Sequence, residues 1–234
     1  MMEPVPEDWQ RAVAVAAHPD DLEYGAASAF AHWTDQGKAV SYVMVTSGEA
    51  GIDGLAPAAA RPLREQEERH AAALVGVRHV EFLGYADGSV EYGLALRRDI
   101  AGAIRRLQPE VLLTMNFDLT WGEGGHVNHP DHRAVGLATV DAARDAANRW
   151  TFADLGDRWS LLKAVYVLGV GPPTHYVDVG ATIERGVDSL RAHRTYLEGL
   201  GGRMDTDAFL RGFARAGGEA AGCEMAVLLR RLEA

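Results

Sequence analysis

The chain has 234 residues, of which 47% are hydrophobic and 24% charged, a composition typical of a soluble globular protein. That length allows one sizeable α/β domain, so we expect a single domain over residues 1–234. With 23 basic and 33 acidic residues the net charge is −10, which disfavours binding to nucleic acid or an anionic membrane and favours a small neutral or cationic substrate.

The hydrophobic pattern predicts strands and helices that alternate along most of the chain. Strands are predicted at residues 12–17, 38–46, 79–83, 111–115, 164–170 and 175–179. Helices are predicted at residues 22–36, 61–74, 94–107, 133–148, 183–200 and 219–233. This order predicts an α/β fold, a doubly wound and mostly parallel sheet with core order 3-2-1-4-5, helices on both faces and a small C-terminal extension.

Hydropathy indicates the cellular compartment, and the cysteine content limits which residues can bind a metal. The start, MMEPVPEDWQR, has no basic or apolar leader segment, and no later stretch approaches the roughly 18 apolar residues of a membrane span. We therefore expect a cytoplasmic protein. Cys223 is the only cysteine, so any bound metal must be held by His, Asp or Glu.

Two of the predicted strand-to-helix connections contain His-Pro-Asp, the first directly after its strand and the second at the end of the loop 116–128. Residues 18–21 (HPDD) follow the first strand, and their carboxylates are also N-cap candidates for the helix 22–36. Residues 129–132 (HPDH) follow the fourth strand, and Pro130 suits the first helical position. In a sheet of order 3-2-1-4-5, a crevice opens at the carboxyl ends of strands 1 and 4. We therefore expect both turns to line one site.

The residue types in the two turns are those of a metal site. His18 and Asp21 offer an imidazole nitrogen and a carboxylate oxygen, and His132 could complete the set. An isolated loop histidine is more often exposed to solvent, but two matched turns favour the metal. Three protein ligands leave one coordination position open, as catalytic zinc sites do. We expect one Zn²⁺ per chain, and Fe²⁺ or Co²⁺ would also suit these ligands.

The other polar residues of the turns suggest hydrolysis. Metal-bound water would attack the substrate, and Asp20 could take its proton as general base. His129 could stabilise an oxyanion as a cation or protonate the leaving amine. Asp131 could orient an imidazole, for which His129 is the first candidate. His126 lies in the loop 116–128, and the sequence does not decide whether it contacts the metal or the substrate.

The chain resembles the LmbE-like (PIG-L) family of zinc-dependent N-deacetylases over most of residues 11–145. The two HPD motifs at this separation are the most specific part of the resemblance. The matching segments are AHPDD at 17–21, TSGEAG at 46–51, Arg64 with Glu67, FLGYADG at 82–88 and NHPDHRAVG at 128–136.

This resemblance implies a Rossmann-like fold and removal of an N-acetyl group from an N-acetylglucosamine-type amino sugar or its glycoside. The implied site residues are the zinc ligands His18, Asp21 and His132, the base Asp20, the charged helper His129, and the sugar contacts Arg64 and Asp87. Two segments depart from the family pattern, which leaves the substrate open. They are Gly25-Ala26-Ala27, in place of consecutive glycines, and AHRTY at 192–196.

Alternative functions remain. One is an amidase that cleaves a bulkier amide conjugate of the mycothiol type. The loops 47–60 and 116–128 would determine which substrate fits, because they would form the walls or lids of the site. Another is a non-catalytic metal- or sugar-binding protein of the same fold, against which Asp20 argues because a binding site needs no base. A dinucleotide enzyme is disfavoured, since HPDDLEYG lacks the glycines that admit a pyrophosphate. A homo-oligomer is compatible with the sequence.

Overall fold

The computed structural model describes residues 2–121, 125–169, 171–201 and 205–233. Within these residues the strands are β1 (Glu3–Pro4), β2 (Arg11–Ala16), β3 (Ala39–Thr46), β4 (His79–Tyr85), β5 (Val111–Thr114), β6 (Thr120–Trp121), β7 (His126–Val127), β8 (Ala164–Leu168), β9 (His175–Asp178) and β10 (Ala226–Glu233). The helices are α1 (Ala27–Asp35), α2 (Pro57–Leu74), α3 (Leu94–Leu107), α4 (Pro130–Ala147), α5 (Ile183–Arg191), α6 (Arg194–Gly199) and α7 (Thr206–Ala221).

Eight strands form one mixed sheet in the order β1-β9-β10-β8-β5-β2-β3-β4. The segment β4-β3-β2-β5-β8 is parallel throughout, with Val13 opposite Ser41 on one side and Leu112 on the other. In chain order of those five strands this is 3-2-1-4-5, which confirms the predicted doubly wound core. β6 and β7 form a separate hairpin.

The sheet is buried on both faces. β2 and β5 are short and built from Val, Leu, Ala and Thr, and all of their residues except Arg11 are buried. Helices α1, α2 and α5 pack together, and α3 packs on α4, which indicates one helical layer on each side. The carboxyl ends of β2 and β5 therefore lie side by side at the centre of one sheet edge, with Val15 opposite Thr114.

The C-terminal third differs from the sequence prediction. The helix predicted at 219–233 is wrong: α7 ends at Gly222, which has a φ of 82°, and β10 follows as an antiparallel strand between β8 and β9. The predicted helix 183–200 is divided into α5 and α6 at residues 192–193. The predicted strand 164–170 ends at Leu168 as β8, and Val170 lies outside the described residues.

The start of the first helix also differs. Its carboxylates do not cap it, because α1 begins at Ala27 and is preceded by irregular turns from Asp20 onward. No helix in the described part of the chain is long and apolar enough to cross a membrane.

Candidate active site

The two HPD turns meet at the central edge of the sheet. The first follows β2, and the second leads into α4, where His129 is the N-cap and Pro130 the first helical residue. Nδ1 of His18 lies 3.2 Å from Nε2 of His132, although the two residues are 114 positions apart. An oxygen of Asp21 lies 3.0 Å from the same Nε2, and its other oxygen lies 3.5 Å from Nδ1 of His18. The structure thus brings the three predicted ligands together.

The spacing of these donor atoms fits a tetrahedral metal ion. Zinc bonds of 2.0–2.1 Å place neighbouring donors about 3.3 Å apart. Nε2 of His132 lies 3.2 Å from Nδ1 of His18 and 3.0 Å from Oδ1 of Asp21, both close to that value, while the other oxygen of Asp21, Oδ2, lies 3.5 Å from Nδ1 of His18. The set of two imidazoles and one carboxylate is also one that zinc accepts. The geometry and the chemistry of these residues therefore fit a divalent metal ion. Metal binding by these residues stays a prediction.

Neighbouring side chains hold the rings of His18 and His132 so that one nitrogen of each faces the metal candidates. Nδ1 of His132 lies 3.0 Å from Oδ1 of Asn128, which leaves Nε2 for a metal. Nε2 of His18 lies 3.2 Å from Asp131 and 3.1 Å from Asp87, which leaves Nδ1. Histidine ligands commonly donate their second ring N–H to such an outer partner.

Asp131 therefore lies against a different imidazole from the one we expected. Its carboxylate contacts His18 and accepts hydrogen bonds from the backbone N–H groups of Gly88 and Val90. Its own N–H donates to Nδ1 of His129 instead. Asp131 is fully buried. Its role in orienting an imidazole stays a prediction, and the imidazole concerned is that of His18.

Two further groups of donors lie around the same point. His18, His129 and His132 have ring nitrogens within 4.8 Å of one another, and so do the ligand atoms of His18, Asp87 and Asp131. His126 lies exposed on β7 and belongs to neither further group among the residues that the structure describes.

The local charges call for a cation. Burial lowers the pKa of His18, but the three surrounding carboxylates outweigh burial and hold it well above its ordinary value. Burial would raise the pKa of Asp21, yet His132 and His18 hold it below its ordinary value. Three carboxylates, those of Asp21, Asp87 and Asp131, lie against the ring of His18, and a divalent cation would balance their charge.

Asp20 is held apart from this cluster in a strained conformation. Its φ of 96° is unusual for a residue with a side chain. Nη2 of Arg64 donates to Oδ1 of Asp20 at 2.8 Å and to the carbonyl of Pro19 at 2.6 Å, while the N–H of Asp20 donates to Glu68. Burial raises the pKa of Asp20, and the charge of Arg64 opposes that rise.

The two expected sugar contacts both touch catalytic candidates. Arg64 is 1% exposed, and its guanidinium stacks on the ring of Tyr196 at 3.8 Å, behind Asp20. Asp87 contacts His18 and accepts a hydrogen bond from the N–H of Ala50 at 2.8 Å. Sugar binding by these residues stays a prediction, whereas the observed contacts point to positioning of Asp20 and His18.

His129 has a defined tautomer. Its Nδ1 accepts from Asp131 N, so the neutral ring carries its proton on Nε2. Burial and the nearby charges of His18 and His132 lower its pKa, where we expected a charged helper. A neutral His129 still offers one N–H donor beside the metal candidates.

Sequence reasoning missed several residues of this region. Glu68 is not among the predicted site residues, but it is fully buried against Asp20. Its spacing gives the signal, because Ala60, Arg64, Glu68 and Ala72 share one helical face. Trp121 lies edge-on to His132 at 5.4 Å, on a loop whose residues 122–124 lie outside the described part.

The loop 47–60 is attached to the site through Gly48. Its φ is +61°, and a Cβ there would lie 2.7 Å from Nη2 of Arg64. We expect Gly48→Ala to lower the free energy of unfolding by about 1–2 kcal/mol from backbone strain alone, with further loss as Arg64 shifts. Gly54→Ala, in the same loop with open space around it, is the matched control. Chemical denaturation of both variants measures the difference, and equal stabilities would contradict it.

Comparison with known proteins places the chain in a family and agrees with this fold. The family profile described as GlcNAc-PI de-N-acetylase (PIG-L) matches residues 13–143. A diacetylchitobiose deacetylase from Thermococcus kodakarensis is 28% identical over 194 residues, covering 80% of this chain and 70% of the relative. A probable N-acetyl-alpha-D-glucosaminyl L-malate deacetylase 2 from Bacillus anthracis is 28% identical over 188 residues, covering 76% and 78%.

Solved structures give the same result for the fold. The N,N'-diacetylchitobiose deacetylase of Pyrococcus horikoshii superposes with a TM-score of 0.85 at 24% identity, covering 97% of this chain and 85% of that chain. The fold and the sequence relatives define an amide-hydrolysing α/β enzyme. The chain belongs to the PIG-L family, whose profile covers more than half of it, and this confirms the resemblance inferred from the sequence.

Proposed function

We propose that this protein is a metal-dependent deacetylase that removes acetyl from an N-acetylglucosamine-type amino sugar or its glycoside. The observation that carries the proposal is the buried carboxylate of Asp20, which shares a turn with two candidate ligands yet pairs with Arg64. A site that only binds metal needs no such base. The two sequence relatives described above are also deacetylases by name, one of them a probable one.

His18, Asp21 and His132 would hold the metal. When bound, a divalent ion polarises the amide carbonyl and makes water acidic enough to lose a proton near neutral pH. Zinc is the first choice for these donors, and Fe²⁺ or Co²⁺ would also suit them.

The protein's own groups move the protons. Arg64 occupies Oδ1 of Asp20, so the other carboxylate oxygen accepts the proton of the attacking water. Burial raises the pKa of Asp20 and so makes it a stronger base than an exposed aspartate. His129 donates from Nε2 to the carbonyl oxygen as negative charge develops there. Asp20 then passes its proton to the leaving amine.

Acetate release and metal content, measured together, test the function. We expect the purified protein to release acetate from N-acetylglucosamine or its glycosides, to stop when a chelator removes the metal, and to recover with Zn²⁺. Metal binding without acetate release would point to a different amide, such as a bulkier mycothiol-type conjugate. A chain that takes up no metal after reconstitution would overturn the proposal.

Arg64→Lys separates positioning from sugar binding. Lysine keeps the charge but cannot reproduce the two hydrogen bonds of Nη2 or the stacking on Tyr196. If Arg64 positions Asp20, kcat should fall by roughly tenfold or more, up to the ~10²–10⁴-fold that a general base contributes, with KM nearly unchanged. Steady-state kinetics give both constants. A raised KM with unchanged kcat would instead support the sugar contact.

A further inference from the structure

A second cluster of metal-ligating side chains lies beneath the catalytic turn. Glu23 comes from the turn before α1, Glu68 from α2, and His193 from the break between α5 and α6. All three side chains are 0% exposed to solvent. Nε2 of His193 lies 3.7 Å from an oxygen of each glutamate. Three segments distant in sequence thus place one nitrogen and two oxygens around a common point.

These buried atoms lack partners. Among the described residues, Oε2 of Glu23, Oε1 of Glu68 and both ring nitrogens of His193 have no hydrogen-bond partner. The remaining oxygens make only long contacts, from Ser189 at 3.5 Å and from the N–H of Asp20 at 3.3 Å. Buried polar groups are almost always paired, and buried charges are paired or bound to metal. A proton on His193 would pair it with both glutamates at 3.7 Å but supplies one positive charge for two buried carboxylates, whereas a divalent cation balances both.

We propose that Glu23, Glu68 and His193 bind a second divalent metal ion of the Zn²⁺ class, separate from the catalytic metal. The 3.7 Å spacings are slightly wider than the roughly 3.3 Å of tetrahedral zinc, and small rotations of the two glutamates close that gap. One imidazole with two carboxylates suits zinc and related transition metals. Because none of the three donors is exposed to solvent, the ion would be bound as the chain folds.

The second metal would act on the catalytic turn through Glu68. That carboxylate accepts the N–H of Asp20, whose φ is strained. The metal would fix Glu68 in place and tie α2 to the chain segment around His193, three residues before the ring of Tyr196 that stacks on Arg64. It therefore stabilises the base without touching the substrate.

Metal counting in matched variants tests this. The protein is produced in zinc-supplemented medium, desalted without chelator, and its zinc per chain is measured by mass spectrometry. We expect about two zinc ions in the wild type, one in His132→Ala, and one in Glu68→Leu. Glu65→Leu, on the same helix but bonded to Ser47, is the control that keeps two. His193→Asn should behave like Glu68→Leu and serves if the latter does not fold.

The outcomes are distinct. One zinc in the wild type that disappears in His132→Ala would overturn the second site and leave the proposed function intact. One zinc that persists in His132→Ala and disappears in Glu68→Leu would support the second site while contradicting the catalytic one. Two zinc ions in both Glu68→Leu and His193→Asn would show adventitious binding elsewhere. Thermal unfolding adds an independent readout, because a chelator lowers the Tm of His132→Ala only if that variant still holds a bound ion.

Discussion

Replacing Asp20 by asparagine should lower the rate of acetate release by about 10²–10⁴-fold, the range that a general base contributes, while metal content stays at the wild-type level. Asparagine keeps the shape of the side chain and tolerates unusual φ better than most residues, so the strained turn should persist. It cannot accept a proton at neutral pH. The metal is unaffected because the three closest donors come from other residues.

The matched control for this variant is Asp53→Asn. It makes the same chemical change at an exposed position of the loop 47–60, and both activity and metal content should match the wild type. Thermal unfolding of both variants checks that the fold survives. Wild-type-like turnover in Asp20→Asn would remove Asp20 from the mechanism.

The convergence of the two turns could be predicted because it depends on topology alone. A short apolar strand followed by HPDD, and another followed by HPDH, are local signals. The order 3-2-1-4-5 then places β2 and β5 side by side, with Val15 opposite Thr114. Parallel neighbours end at the same sheet edge, so side chains more than a hundred residues apart meet there.

The outer partners of the imidazoles could not be predicted, because they depend on side-chain direction. Asp131 follows His129 closely in the chain, which made that ring the natural partner. In the structure the backbone N–H groups of Gly88 and Val90 hold its carboxylate, and this turns it toward His18. Such contacts come from a loop 40 residues away and leave no periodic signal.

The errors elsewhere have two physical causes. Residues 226–233 are rich in Leu and Arg, which favour helices, but pairing with β8 and β9 overrides that preference. On α2, residue type gives no sign of the buried charged residues, because charged side chains are mostly exposed in proteins. Arg64 and Glu68 are buried because each binds the strained turn at Asp20.

Replacing His132 by alanine should remove one metal equivalent and reduce acetate release to background. Its Nε2 lies 3.0 Å from Asp21 and 3.2 Å from His18, so the variant leaves two donors where three converge. Removing an outer partner of a ligand costs 10–100-fold in metal affinity, and losing the ligand itself should cost more. Zinc titration of the chelated protein, followed by mass spectrometry, measures the change.

His126→Ala is the control, since this histidine lies exposed on β7, six residues before His132. We expect it to keep the wild-type metal content. If His132→Ala retained its metal, the nearby ring of His129, 5.2 Å from that of His132 between centroids, would be the substitute ligand. The double variant His129→Ala/His132→Ala then decides. Metal loss only in the double variant would show that His129 can replace His132 as a ligand.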